Sequence, residues 1–153
     1  MLKRITLAFI CFTLASCHMK EEPLVIGHRG AMGHETENTI PSIQKAMDLD
    51  VDMIEIDVFK IKSDEIVVFH DDKLDRLTNA PGDIEDYYIV DLMQVIVDGG
   101  HKIPMLRDVL KTIDNKVALN IELKGAGTAD RVNHIMNYYI ENKNWSPDNF
   151  IIS

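Results

Sequence analysis

The sequence predicts an α/β fold in which helices cover a parallel β-sheet. Short apolar or alternating stretches, typical of strands, are separated by stretches whose apolar residues recur at helical spacing. Ionisable residues also collect where the predicted strands end, which is the edge at which parallel α/β folds carry their sites. Strand–helix–strand connections of this kind are right-handed and place their strands in one parallel sheet.

The first sixteen residues are predicted to be a signal peptide and not part of the fold. Two basic residues precede an apolar run at 5–15, which is too short to span a bilayer of about 30 Å as a helix. Leu14 to Cys17 then resemble the lipobox of bacterial lipoproteins, in which the cysteine is lipidated. Residues 17–23 are predicted as a tether. We therefore expect a protein of the bacterial cell envelope, anchored to a membrane by a lipid on Cys17; the alternative is an ordinary signal peptide with a chance cysteine.

The folded part is expected to begin at residue 24 with a short strand, 24–27. A loop to Asn38 follows, and Thr39 is predicted to cap a helix that carries Pro41 in its first turn, where a missing N–H is harmless. Residues 53–59 then alternate apolar and acidic side chains, which is typical of a strand with one apolar face.

The second half of the chain continues the alternation. A third strand is predicted at 66–69, and the weakly periodic stretch 72–104 with its turn signals follows. A helical stripe at 105–113 leads to a fourth strand at 117–124. After a further helix, a fifth strand begins at 150–152, where the printed chain stops.

Composition and charge exclude one class of partner. Residues 1–16 contain two of the 16 basic residues and none of the 25 acidic ones, so the mature chain has a net charge of −11. Nucleic acid requires a basic face, so we expect no nucleic-acid partner. An anionic small molecule would need a local positive charge to bind. The sequence gives no basis on which to infer a protein partner.

Four predicted strands deliver ionisable residues to one edge of the sheet. Glu55 and Asp57 are two apart on a strand and therefore share a face, where two unpartnered carboxylates would be costly to bury. A divalent cation removes that cost, and Glu122 on the fourth strand would complete a set of oxygen ligands suited to Mg²⁺ or Ca²⁺. The alternative is a solvated strand face whose acids point to water.

The same edge offers groups for proton transfer and for binding an anion. His28 and His70 suit general acid and base roles, because imidazole titrates near neutral pH. The alternative for each histidine is a structural role. Arg29 offers a planar fork suited to phosphate, and Lys124 supplies a second positive charge.

Taken in order, seven short segments resemble the motif series of the glycerophosphodiester phosphodiesterase family: His28-Arg29-Gly30, Glu37-Asn38-Thr39, Glu55-Ile56-Asp57, His70-Asp71, Leu74-Asp75-Arg76, Ile103-Pro104-Met105-Leu106 and Glu122-Leu123-Lys124. The resemblance covers about residue 25 to the end. One departure is Thr36, which stands where the family has a proline.

The resemblance implies a TIM-barrel fold and a divalent cation. It also implies hydrolysis of glycerophosphodiesters, small-molecule substrates, to glycerol 3-phosphate and an alcohol. Transferred by motif, His28 and His70 become the acid–base pair, and Arg29 and Lys124 hold the phosphate. The implied metal ligands are Glu55, Asp57 and Glu122.

Length is where this chain differs from the family. A barrel of this kind needs about 250 residues, so 24–153 is expected to be a partial domain, truncated after about the fifth strand, with 72–104 as the family's insertion. We expect the chain as printed to be poorly soluble and inactive.

Two other functions fit parts of the sequence. One is a phospholipase D-like or sphingomyelinase D-like enzyme, which would use the same histidines and carboxylates on a membrane lipid. The other is a non-catalytic envelope lipoprotein that binds phosphodiesters or glycans, which predicts at least one broken catalytic position. All seven predicted catalytic, phosphate-binding and metal-binding residues are present here.

Overall fold

A computed structural model describes residues 23–153. Four strands in this range run parallel in the order β1-β2-β4-β5, and β3 pairs with β2 outside that order. Their bounds are β1 Ile26–Gly27, β2 Met53–Lys60, β3 Ile66–Val68, β4 Ala118–Leu123 and β5 Phe150–Ile152. The helices are α1 Ile40–Asp48, α2 Ile89–Leu92, α3 Leu106–Ile113 and α4 Thr128–Lys143.

The third strand was predicted to run parallel to the others, and this prediction is wrong. β3 is antiparallel to β2, with Val58 opposite Val68 and Lys60 opposite Ile66. Only residues 61–65 separate the two strands, and a parallel crossover needs a dozen residues or more. A tight turn fills the gap, closed by the Ile61 N–H donating to the Glu65 carbonyl at 3.0 Å. The length of this connection was the signal that the prediction missed.

The main core lies between the parallel strands and three of the helices. Ile54, Ile56 and Val58 of β2 are fully buried in it, together with Leu119 and Ile121 of β4. α1, α3 and α4 cover this layer with their apolar faces. The predicted alternation in β2 and β4 therefore positions the apolar side chains as expected.

A second, smaller core forms beside the far end of β2. Phe59, Ile61, Val67 and Phe69 contribute to it from the β2–β3 hairpin. The rest comes from the segment that the sequence analysis left without clear elements, through the buried residues Leu74, Ile84, Leu92 and Val95. That segment holds α2 and three single turns of 3-10 helix, at Leu74–Arg76, Ile84–Asp86 and Asp98–Gly100. It is therefore ordered by its own apolar cluster.

The start of α1 follows the sequence prediction closely. The Thr39 hydroxyl accepts from the Ser42 N–H at 3.3 Å, the Ser42 hydroxyl accepts from the Thr39 N–H at 3.2 Å, and Pro41 lies in the first turn. These bonds satisfy donors that the first turn of a helix leaves free. The cap fixes the loop before it, which belongs to the site described below.

The signal peptide at 1–16 and Cys17 lie outside the described residues, as does all of the predicted tether except Pro23. Between residues 23 and 153, no helix is both long and apolar enough to cross a membrane.

Candidate active site

Three acidic side chains converge at the carboxyl-terminal edge of the parallel sheet. Asp57 of β2 stands opposite Glu122 of β4, and Glu55 lies two residues earlier on the same face as Asp57. One carboxylate oxygen from each of the three residues lies within 4.8 Å of the others. Glu55 is 6% exposed and Asp57 is 1% exposed. The alternative of a solvated acidic face is therefore wrong for β2.

Glu55 is held by the end of β1 and has one oxygen left over. Its Oε2 accepts a hydrogen bond from the Arg29 backbone N–H at 2.7 Å. Its Oε1 is buried and has no hydrogen-bond partner among the described residues. Burial raises the pKa of this carboxyl above its ordinary value. The exposed His28 ring stands at the mouth of the cluster, with its Nε2 3.8 Å from Glu55 Oε2.

Asp57 is oriented by a loop residue that the sequence analysis assigned no role. The Asn38 side chain donates to Asp57 Oδ2 at 2.9 Å and accepts from the Asp57 N–H at 3.3 Å. Asn38 is 2% exposed and has a left-handed backbone, with φ 55°, a conformation that asparagine adopts more readily than most residues. The other oxygen of Asp57 lies 3.4 Å from Lys124 Nζ.

Glu122 and Lys124 form a close pair at the more open side of the cluster. The Lys124 ammonium group donates a hydrogen bond to Glu122 Oε1. This bond lowers the pKa of Glu122 and raises that of Lys124. His70 is near enough to lower the pKa of Glu122 further. Lys124 thus neutralises carboxylates that were predicted to bind a metal.

The Arg29 side chain lies mostly buried between Glu37 and Asp57. Its backbone is left-handed, with φ 52°, and its guanidinium donates to Glu37 Oε1 at 2.9 Å. Its Nε lies 3.5 Å from Asp57 Oδ2 and has no hydrogen-bond partner among the described residues. The predicted phosphate-binding arginine is therefore mostly buried among carboxylates.

His70 belongs to a second group of charges that joins the first through Glu37. Its Nδ1 lies 2.6 Å from Asp71 Oδ1. The Arg76 guanidinium donates to Asp71 Oδ2 at 2.5 Å and to Glu37 Oε1 at 2.7 Å. Because Arg29 also binds Glu37, an unbroken series of hydrogen bonds runs from Arg29 to the His70 ring.

The ion pairs of this second group shift the pKa values of its members. The hydrogen bond from Arg76 lowers the pKa of Asp71 to about 2. In turn, the hydrogen bonds to Asp71 and Glu37 raise the pKa of Arg76. Burial acts to raise the pKa of Glu37, but hydrogen bonds from Arg76 and Arg29 outweigh it and the pKa is lowered. Asp71 and Glu37 therefore remain ionised at neutral pH.

The charge balance of the whole site fits a divalent cation. Five carboxylates (Glu37, Glu55, Asp57, Asp71 and Glu122) face three permanent cations (Arg29, Arg76 and Lys124). Without counting the two imidazoles, the site carries two negative charges in excess. The unpartnered Glu55 oxygen lies among the three carboxylates that can share a ligand. Carboxylate oxygens are the ligands that Mg²⁺ and Ca²⁺ prefer.

The seven predicted site residues thus lie together at one edge of the sheet. His70 reaches this edge because it follows β3, which is antiparallel to β2. Sequence reasoning gave no role to three residues that hold them: Asn38, Asp71 and Arg76. Each stands inside one of the quoted motifs, next to or near a predicted site residue. Their polar side chains and their places in these motifs were the signals that could have identified them.

Comparison with known proteins gives a family match. The Glycerophosphoryl diester phosphodiesterase family matches residues 28–143. YhdW of Bacillus subtilis is 42% identical over 108 residues, covering 66% of this chain and 44% of that protein. A glycerophosphodiester phosphodiesterase of the same organism is 32% identical over 142 residues, covering 83% of this chain and 41% of that protein. The human lysophospholipase D GDPD1 is 30% identical over 112 residues, covering 65% of this chain and 35% of that protein.

Solved structures share the fold. A phosphodiesterase of Oleispira antarctica, in complex with the product sn-glycerol-3-phosphate, aligns with a TM-score of 0.73 and 29% identity, over 85% of this chain and 56% of that one. A glycerophosphodiester phosphodiesterase of Thermotoga maritima aligns with a TM-score of 0.72 and 29% identity, over 86% and 54%. The predicted fold class, α/β of the TIM-barrel type, is confirmed. This chain spans less than half the length of the Bacillus relatives that it matches.

Proposed function

Since the chain belongs to the glycerophosphoryl diester phosphodiesterase family, we propose that it serves the metal-dependent hydrolysis of glycerophosphodiesters to glycerol 3-phosphate and an alcohol. The observation that carries the proposal is the convergence of Glu55, Asp57 and Glu122 within 4.8 Å, beside His28 and close to His70. The glycerol 3-phosphate bound in the Oleispira phosphodiesterase supports the substrate class.

The three carboxylates would hold the cation, Mg²⁺ or Ca²⁺. Bound there, the ion would supply positive charge to stabilise the negative charge that develops on the phosphoryl group. The unpartnered Glu55 Oε1 and the two excess negative charges support this assignment. Lys124 now neutralises Glu122 and Asp57, and its ammonium group would be free to bind phosphate once those carboxylates bind the cation. Arg29 would provide the second phosphate contact.

The two histidines would move the protons. One would take the proton of the attacking oxygen, and the other would give a proton to the departing alcohol. The bond between His70 Nδ1 and Asp71 leaves Nε2 as the ring atom available to substrate. His28 is exposed, and its Nε2 lies 3.8 Å from Glu55 Oε2.

The test is hydrolysis of glycerophosphocholine by the purified full-length protein, not by the 153-residue chain alone, followed as glycerol 3-phosphate released. We expect activity with Mg²⁺ or Ca²⁺ and none after chelation. His28→Ala and His70→Ala should each lose at least about a hundredfold in rate, whereas His101→Ala, outside the site, should not. Near-normal turnover in either of the first two variants would remove the acid–base assignment.

A second candidate reaction is cleavage of lysophospholipids, favoured by the 30% identity to a human lysophospholipase D. The same histidines and carboxylates would act on a diester that carries an acyl chain. Parallel assays with glycerophosphocholine and lysophosphatidylcholine separate the two substrates. A higher kcat/KM on the lysolipid would favour the second reaction.

We also propose that the protein is exported and held to a membrane of the bacterial envelope by a lipid on Cys17. The basic start, the short apolar run and the small residues before Cys17 support this. Labelling of cells with a radioactive fatty acid should mark the wild type and not a Cys17→Ser variant. Equal labelling of both would overturn the proposal.

A further inference from the structure

A cavity that shares no lining residue with the carboxylate site lies in the groove between α3 and α4. Its volume is about 480 Å³. Arg107 and Lys111 line it from α3, one helical turn apart, and α4 contributes His134, Tyr138 and Lys143. The floor is apolar and aromatic, made of Ile135 and Tyr139, which are 4% and 6% exposed. The Tyr139 hydroxyl donates to the Arg107 carbonyl at 3.2 Å and joins the two helices there.

The groove is basic in an acidic chain. No acidic residue is among those that line it, although the sequence has 25 acidic and 16 basic residues. Within residues 23–153, Arg107 and Lys143 have no carboxylate within 4.0 Å, and Lys111 has one exposed partner, Asp108, at 3.7 Å. At physiological salt, charges more than about 8 Å away are largely screened. An anion in the groove would therefore experience these basic groups more than the chain's negative total.

The lining fits an anion that also carries an apolar part. Tyr138 is 49% exposed at the rim, while Tyr139 and Ile135 form a buried floor. Tyrosine is enriched where one end of the side chain is apolar and the other is wet, as at a membrane surface. Free phosphate would use the basic rim and leave the aromatic floor unused.

We propose that the groove between α3 and α4 binds the phosphate headgroup of anionic phospholipids and so holds this face of the domain against a membrane surface. The groove shares no residue with the site at the sheet edge, so the proposal does not depend on the proposed hydrolysis. Each basic residue near an anionic surface strengthens binding by about fivefold. Loss of three should weaken binding on the order of a hundredfold.

The test is flotation of the full chain, carrying Cys17→Ser throughout to prevent lipidation, with vesicles of phosphatidylcholine containing phosphatidylglycerol on a density gradient, where bound protein rises and self-associated protein does not. Three proteins are compared: the parent, the groove variant Arg107→Gln/Lys111→Gln/Lys143→Gln, and a control variant Lys62→Gln/Lys73→Gln/Lys116→Gln. The control removes the same charge from exposed positions outside the groove. All three share the apolar run at 5–15, so differences between them report the groove. Thermal melts check that each variant is folded.

The proposal predicts that the parent and the control bind alike and that the groove variant binds on the order of a hundredfold more weakly. Added salt should weaken the parent and the control to the same extent and the groove variant less. Equal loss in the two variants would mean that total charge alone acts, and would overturn the proposal. Binding that is unchanged in the groove variant would also overturn it. So would full displacement from vesicles by inorganic phosphate at equal phosphate concentration, because the groove would then recognise the free anion.

Discussion

Glu55 is the residue of the site whose burial is expected to lower the free energy of unfolding most. It is 6% exposed, one of its oxygens has no hydrogen-bond partner among the described residues, and the carboxylates of Asp57 and Glu122 lie nearby. A buried, incompletely paired charge costs folding free energy. The structure tolerates it because the Arg29 N–H holds the other oxygen. We therefore expect Glu55 to bind a ligand and not to stabilise the fold.

Replacing Glu55 should separate stability from cation binding. Glu55→Gln keeps an acceptor for the Arg29 N–H but removes the charge, so we expect the free energy of unfolding without metal to stay equal or rise. Saturating Mg²⁺ or Ca²⁺, at a hundred times its dissociation constant, should stabilise the wild type by about 2.7 kcal/mol and the variant hardly at all. Melting curves with and without each ion measure both effects. Glu141→Gln, on the exposed side of α4, is the matched control and should keep the full response to the ion.

Arg76 gives the site a pH dependence whose sign can be stated. The pKa of Asp71 is lowered from 3.8 to about 2, first by the hydrogen bond from Arg76. A carboxyl whose pKa is lowered by folding stabilises the folded state at every pH above the pKa it has in the unfolded chain. That contribution is lost as the pH falls through the folded-state pKa of about 2. Because nearly half of the Arg76 side chain is exposed, the contribution should be small, up to about 1 kcal/mol.

In Arg76→Gln the pKa of Asp71 should return toward its ordinary value. We expect the variant to be less stable than the wild type near pH 5, and the difference to shrink as the pH is lowered toward 2. Urea unfolding at a series of pH values measures it. Lys73→Gln, in the same segment, should show no such convergence. A difference that stays constant with pH would mean that Arg76 acts through packing alone.

At the scale of elements, the strands and helices that carry the site were predictable because each has a local signature. β2 alternates acids with fully buried apolar residues, and α1 has both its capping threonine and an early proline. The direction of β3 has no such signature in its own residues. The loop that holds Asn38 and Arg29 has none either, since both adopt left-handed backbones stabilised by partners distant in sequence.

Gly30 shows how closely that loop is fitted to α1. Its φ is 75°, and an added Cβ would lie 2.4 Å from Ser42 Oγ and 2.7 Å from the Ser42 carbonyl carbon. The Ala31 N–H also donates to the Ser42 carbonyl at 2.9 Å. The turn after β1 can therefore approach the helix only without a side chain at position 30. This approach places His28 and Arg29 beside Glu55.

Gly30→Ala should lower stability and disturb the site together. We expect a loss of at least about 2 kcal/mol in the free energy of unfolding, from the left-handed backbone and the clash with Ser42. Weaker stabilisation by Mg²⁺ or Ca²⁺ should accompany it. Gly33→Ala lies three residues on, where an added Cβ meets nothing within 4 Å, and should change stability by no more than about 0.5 kcal/mol. Similar losses in both variants would contradict the assigned role of the turn.

At the scale of the whole molecule, β1 and β5 lie at the two ends of the strand order within residues 23–153. Large apolar side chains are exposed on or beside these two strands: Leu24 68%, Val25 57%, Ile26 50%, Ile151 46% and Ile152 44%. The sequence shows that these residues are apolar. It does not show that they lie at edges, because that depends on the order in which strands pair.

Exposed apolar edge strands offer unpaired N–H and C=O groups to other chains. We therefore expect the 153-residue chain to self-associate through β1 and β5, and lysine at these edges to prevent it, because a buried ammonium group at a strand–strand contact is costly. Light scattering over a concentration series should show the wild type growing and Ile26→Lys/Ile151→Lys staying small. The control is Val90→Lys/Met93→Lys, which adds the same charge at residues 64% and 63% exposed outside the sheet. If that pair suppresses association equally, net charge and not edge pairing controls it; if neither pair does, the association uses another surface.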